Sequence, residues 1–150
     1  MSTHAEPELQ LRVPAVEEYL ALRVAAGLSA MSPAGAREGL QASWCSVWSW
    51  CSVCVRAGAE LIGMGRIVGD GGLFLFVVDI AVTPAWQRRG LGRRIMQALM
   101  EQVHACAFPC TQVGLIADGT AHLLYEKFGF RLVAPESQGM SLRIEEGEHA

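Results

Sequence analysis

Between Trp86 and Ile95 the chain reads Gln87-Arg88-Arg89-Gly90-Leu91-Gly92-Arg93-Arg94. Four arginines surround two glycines where an apolar run gives way to an amphipathic one. Guanidinium groups grip phosphate oxygens two at a time. Glycines at a helix start let backbone N–H groups close on an anion, and the positive end of the helix dipole adds to the attraction. The pattern points to a phosphorylated or pyrophosphorylated ligand. The Lys-Ser/Thr of a P-loop is absent, and no early βα unit precedes the glycines, so a Rossmann or P-loop nucleotide site is the weaker reading.

Upstream, Asp79 is the single carboxylate inside the apolar run from Leu73 to Val82. Burying it without a partner is costly, so its position asks for a reason. Two readings stand side by side. Asp79 binds a substrate group or takes its proton, or it is a structural carboxylate held by backbone or by an arginine.

Five cysteines offer a third kind of chemistry. Cys51-x-x-Cys54 and Cys106-x-x-x-Cys110 have spacings that invite zinc or redox use. On a strand, however, positions 51 and 54 fall on opposite faces, and free cysteine is among the most buried residue types. Free core thiols in a reducing compartment, and no metal, are the expectation.

The elements that must position these groups can be read from periodicity. Leu9–Val13 alternates and stops at Pro14, a first strand; Ala15–Leu28 carries Val16, Tyr19, Leu20, Leu22 and Val24 at helical spacing, a first helix ending near Gly27. Ser32-Pro33 is a helix start, with Ser32 as N-cap and the helix running to Leu40. Ser49–Arg56 and Glu60–Val68 form a hairpin, and Gly69-Asp70-Gly71-Gly72 turns into the strand Leu73–Val82. Phe74 and Phe76, with Leu73, Leu75 and Val77, predict a strand covered on both faces. Trp44, Trp48 and Trp50 precede this meander as core or interface residues. Pro84 ends its third strand, because proline cannot donate to a ladder.

Ile95, Leu99 and Val103, with Met96 and Met100 beside them, then make one helical face. Thr111–Ala117 follows as a strand parallel to Leu73–Val82, since a helix joins the two. A helix over Ala121–Phe128 and two last strands, Phe130–Val133 and Gly139–Ile144, complete the chain, with a disordered acidic tail from Glu145.

At 150 residues, 51% hydrophobic and 18% charged, the composition is that of one globular domain over residues 1–150. A net charge of −3 argues against a general nucleic-acid binder. No apolar run approaches the roughly 20 residues of a membrane helix, and the polar, acidic start lacks a leader pattern. A cytoplasmic protein with neither nucleic-acid nor membrane partners is expected.

Gln87–Gly92, preceded by Ala81-Val82-Thr83-Pro84, resembles the Gln/Arg-x-x-Gly-x-Gly/Ala signature of the GNAT superfamily of acyl-CoA-dependent N-acyltransferases. Leu124-Tyr125-Glu126-Lys127-Phe128-Gly129-Phe130 is similar to the family's Leu-Tyr-Glu-Lys-x-Gly-Phe segment, one helix and one strand later. The resemblance spans about Leu9 to Arg143, and its signatures lie between Leu73 and Phe130.

The resemblance implies an α+β, GNAT-type three-layer fold. Its mixed sheet of six to seven strands would be splayed at the centre and flanked by about four helices. Acetyl-CoA would be the cosubstrate, its pantetheine arm against the backbone of Ile80, Ala81 and Val82. Its pyrophosphate would lie in the loop of Gln87, Arg88, Arg89, Gly90, Leu91, Gly92 and Arg93. Asp118 stands where the family often has an asparagine beside the cofactor arm; an ionised carboxylate accepts hydrogen bonds but cannot donate them. By the same resemblance Tyr125 is the general acid for the thiolate, and Asp79 stands where some members hold an acid facing the acceptor. A backbone N–H, that of Val82, can serve the thioester oxyanion. His122 and His104 read as surface histidines. The implied reaction is N-acetylation of a small-molecule primary amine by direct transfer in a ternary complex, with a homodimer compatible. A protein lysine or N-terminal acceptor, and a non-catalytic acyl-CoA-binding module, are the alternatives.

Overall fold

The computed structural model describes residues 5–43, 45–46, 49–50, 52–145 and 147. They belong to two compact units, Met1–Leu115 and Ile116–Ala150. The first runs β1 (Glu8–Leu11), α1 (Val16–Ala25), α2 (Pro33–Gln41), β2 (Cys45–Ser46), β3 (Ser49–Trp50), β4 (Ser52–Ala57), β5 (Glu60–Gly69), β6 (Phe74–Val82), a 3-10 turn (Pro84–Trp86), α3 (Leu91–Cys106) and β7 (Gln112–Gly114). The second contains α4 (His122–Glu126).

One sheet of five strands, ordered β1-β4-β5-β6-β7, carries the first unit. Its pairs are antiparallel except β6 with β7, which are parallel as a helical crossover requires. α3 covers one face with Leu91, Ile95, Met96, Leu99, Met100 and Val103 buried. Each fully enclosed side chain among them, such as Ile95 or Leu99, contributes roughly 1.5–3 kcal/mol of burial. Gly65 on β5 permits this approach: a Cβ there would lie 2.6 Å from Cγ2 of Ile95. On the other face Tyr19 and Leu22 of α1 and Ala36 and Leu40 of α2 pack with Cys54, Met64 and Ala81.

Ser32 caps α2 as expected, its hydroxyl accepting from the Gly35 N–H at 3.0 Å. α1 ends at Ala25, next to the expected stop near Gly27, which follows at φ 83°. Its inward face is displaced: Val24 is 64% exposed, whereas Arg23 is buried because it has buried polar partners.

Several expectations are corrected. β4 begins at Ser52, because Ser49–Trp50 pairs instead with Cys45–Ser46; Trp44, Trp48 and Cys51 lie outside the described residues. Leu75 and Val77 are buried, but Phe74 and Phe76 are not, so this half of β6 is covered on one face only. Cys54 is a core thiol, whereas Cys110 is exposed in the turn after α3 at φ 72°. Among the described residues the sheet has five strands rather than six to seven. Phe130–Val133 and Gly139–Ile144 form no ladder, and alternation without a backbone partner makes no strand. Met140 and Leu142 there stand 92% and 86% exposed. The acidic tail lies mostly outside the described residues.

Candidate active site

β5 and β6 pair Met64 with Ala81 and Arg66 with Val78, so Asp79 and Ile80 together oppose Gly65 alone. This is a β-bulge, with Asp79 at φ 59°. Its effect follows from alternation. Val78 shares a face with Arg66, whose side chain reaches Gly39 and Ser43 beside α2. A regular strand would therefore send the next side chain to the apolar α3 face. The bulge turns the carboxylate of Asp79 back toward α1.

There Asp79 is enclosed, its side chain 5% exposed. One oxygen pairs with Nη1 of Arg23, and the other with Nε of Arg66. The Tyr19 hydroxyl donates to that second oxygen at 3.0 Å. Arg23 is fixed in turn by Ser29, through Nε to its carbonyl at 2.9 Å and Nη2 to its hydroxyl at 3.2 Å. Burial, then the Asp79 charge, raises the Tyr19 pKa and keeps its proton in place as a donor. Of the two readings of Asp79, this geometry favours the structural one: both carboxylate oxygens are engaged.

Tyr19, Arg23 and Arg66 were not among the sequence candidates. The signal was present, because Arg66 is the lone cation between Leu61 and Val68, as Asp79 is the lone anion of the neighbouring strand. Opposite solitary charges on adjacent predicted strands are a pairing pattern.

β6 meets β7 only over Phe74, Phe76 and the residue between them. From Val77 to Val82 no described strand pairs with that edge. Thr83 donates its N–H to Ile62 at 2.9 Å. Alternation then turns the backbone groups of Ala81 toward β5 and those of Val82 toward the open edge. Ala81 is thus engaged in the ladder opposite Met64, a correction to its expected backbone role. Ile80 lies within the bulge, where alternation is broken, and directs its side chain toward Gly65.

The open edge leads directly into the arginine–glycine loop. Gln87 folds back and donates Nε2 to the Val82 carbonyl at 2.9 Å, tying loop to strand. Arg88 adopts φ 60° and Gly90, the α3 N-cap, φ 78°. Leu91 is buried and anchors the first turn, where the first α3 bond is from Arg94 N–H to Gly90 at 3.1 Å. The N–H groups of Leu91, Gly92 and Arg93 precede it and have no carbonyl partner within the helix. Arg88, Arg89 and Arg93 are exposed around them, with Arg89 stacked 4.8 Å over the Trp86 ring. Such a loop can hold a pyrophosphate.

In the second unit Tyr125 is buried on α4 and meets Phe130 edge to face at 6.4 Å. Burial, followed by the Asp118 charge, raises its pKa, so the phenol holds its proton at neutral pH. His122 is half-buried, with Nδ1 3.2 Å from the Gly119 carbonyl, and His104 is exposed. Among the described residues no group of three or more His, Cys, Asp or Glu could hold a metal, and no helix is long and apolar enough to cross a membrane.

A family model described as an acetyltransferase (GNAT) domain matches residues 48–132. A probable acetyltransferase from meticillin-resistant Staphylococcus aureus is 36% identical, over 92% of this chain and 99% of that one, with a TM-score of 0.84. A GNAT-family acetyltransferase from Streptococcus pneumoniae is 24% identical, over 93% and 97%, with a TM-score of 0.67. The ribosomal-protein-S18-alanine N-acetyltransferase from Escherichia coli is 17% identical, over 83% and 77%, with a TM-score of 0.63. The last two show likeness of fold alone. No curated protein sequence matches the chain.

Proposed function

The chain belongs to the GNAT family of acetyltransferases, and from that premise we propose that it carries an acetyl group from acetyl-CoA to a primary amine of a small molecule, by direct transfer within a ternary complex. The observation that carries this reading is the β6 edge from Val77 to Val82, unpaired among the described residues, running into the arginine–glycine loop. A pantetheine arm can add itself to that edge as an extended chain while the loop takes the pyrophosphate.

In this reading Val82 presents its N–H to the thioester oxygen. The amine nitrogen attacks the carbonyl carbon, and the oxyanion formed is held by that N–H. Collapse breaks the carbon–sulfur bond, and the leaving thiolate takes the proton of Tyr125, whose raised pKa suits an acid. The ammonium proton passes to water, and the Tyr125 phenolate regains a proton from solvent. Asp79 is a positioning residue here: it holds the bulge that sets the direction of Ile80 and Val82. Asp118 acts through the charge it places beside Tyr125. We read residues 1–150 as one such transferase domain, acting in the cytoplasm.

Thiol release from acetyl-CoA across a panel of small amines tests the reading. Acetylation of amines in the panel is the expected result; binding of acetyl-CoA with no acceptor-dependent release would overturn it.

A further inference from the structure

Asp79 is consumed internally, both of its carboxylate oxygens being held by Tyr19, Arg23 and Arg66. Two guanidiniums face a single carboxylate, so the cluster keeps one positive charge over. Arg23 spends all three nitrogens on Asp79 and Ser29. Arg66 does not: Nε goes to Asp79, and Nη1 to the Gly39 carbonyl and the Ser43 hydroxyl. Its Nη2 has no hydrogen bond among the described residues.

Arg66 also forms a wall of a cleft of about 170 Å³ between α1, α2 and β5, shared with Tyr19, Met31, Ser32, Gly35 and Leu40. None of the described residues lining this cleft is acidic. Room for several waters at about 30 Å³ each suits a short aliphatic group ending in a charge. The Arg66 side chain is 14% exposed, and Tyr19 lies 5.8 Å beneath its guanidinium carbon, so its orientation is fixed before any ligand arrives. A held guanidinium with free donors recognises a carboxylate far better than a neutral or cationic group.

We infer that the acceptor is an amine bearing a carboxylate, and that Arg66 is the residue that selects it by donating Nη2 to that carboxylate in the α1–α2 cleft. The inference rests on the small-amine reading above and adds its substrate class. A polyamine, which the lone acid of β6 suggests at first sight, meets repulsion at this cluster instead.

The test compares β-alanine with β-alaninamide, which differ in that charge, by thiol release from acetyl-CoA. In the wild type kcat/KM for β-alanine is expected to exceed that for the amide at least about tenfold, equivalent to about 1.4 kcal/mol. Arg66→Lys keeps a charge for Asp79 but lacks the spare forked donor, and should bring the two within about threefold of each other. Melting of the wild type with propionate or propionamide reads the cleft without turnover: propionate should raise Tm and propionamide should not. Equal or better use of the amide overturns the inference and leaves the acetyltransferase reading intact. Absence of release from every amine overturns that reading, and the propionate result then decides the anion site alone. An equal effect of propionate and propionamide sinks it, whether or not Arg66→Lys folds.

Discussion

The phenolic oxygen of Tyr19, on α1, donates across 3.0 Å to Oδ2 of Asp79, on β6. That contact, with the two arginines beside it, joins the first helix to a strand kink and makes the course of the β6 edge dependent on distant chain.

Removing the carboxylate should therefore be expensive. Asp79→Asn leaves two buried guanidiniums without their counter-charge, and breaking a buried ion pair from one side costs about 3–5 kcal/mol. Tyr19→Phe removes one hydrogen bond to a charged acceptor and should cost about 1.5–3 kcal/mol. Denaturant unfolding at neutral pH measures both; an Asp79→Asn protein as stable as the wild type would refute the buried network.

Tyr125 as the acid predicts a defined pH response. The acid works only while protonated, so turnover falls as pH rises through its pKa. Asp118 helps hold that pKa up, so Asp118→Asn should move the alkaline fall to lower pH. Tyr125→Phe should slow turnover by about 10²–10⁴-fold, with acetyl-CoA affinity nearly unchanged. A normal rate in Tyr125→Phe removes the phenol from the mechanism.

The loop makes an electrostatic prediction. Arg88→Glu or Arg93→Glu should weaken acetyl-CoA binding at least about tenfold in low salt, by loss of charge-assisted contacts. The deficit should shrink near 1 M salt, where screening extends only about 3 Å. Calorimetric titration at two ionic strengths reads it.

Glu18 and Arg56 pair at 2.8 Å with side chains 31% and 17% exposed. The hydrogen bond from Arg56 leads the causes that lower the Glu18 pKa below its ordinary 4.5. A lowered folded pKa means stability gained above the unfolded value and lost as pH falls through the folded one. At this exposure the pair contributes about 0–1 kcal/mol. Glu18→Gln should flatten the acid end of the stability curve by that amount and leave pH 7 activity unchanged.

Much of the fold was legible because apolar period and turn chemistry agreed. The meander, the α3 face and the Ser32 cap depend on contacts within a few residues. What was not legible depended on partners far along the chain. Nothing in the helical spacing of α1 singles out Arg23 as a partner of Asp79, and Phe74 looked like core because alternation cannot say whether a second layer covers the strand. The helix start at Gly90 was legible since glycine acts locally, whereas the neutralisation of Asp79 required knowing that two arginines converge on it. Met140 and Leu142 show the reverse failure: a convincing strand pattern stays unpaired because a ladder needs a partner as well as a sequence.

Seen as an alignment of two ladders, Asp79 is an insertion. Without it, Val78 would still face Arg66, Ile80 would face Gly65 and Ala81 would face Met64, and β5 and β6 would zip together with no mismatch. The residue that looked like the chemical centre of the strand is the one the sheet does not need. A single-codon deletion would mend the hairpin and orphan two arginines in the same stroke.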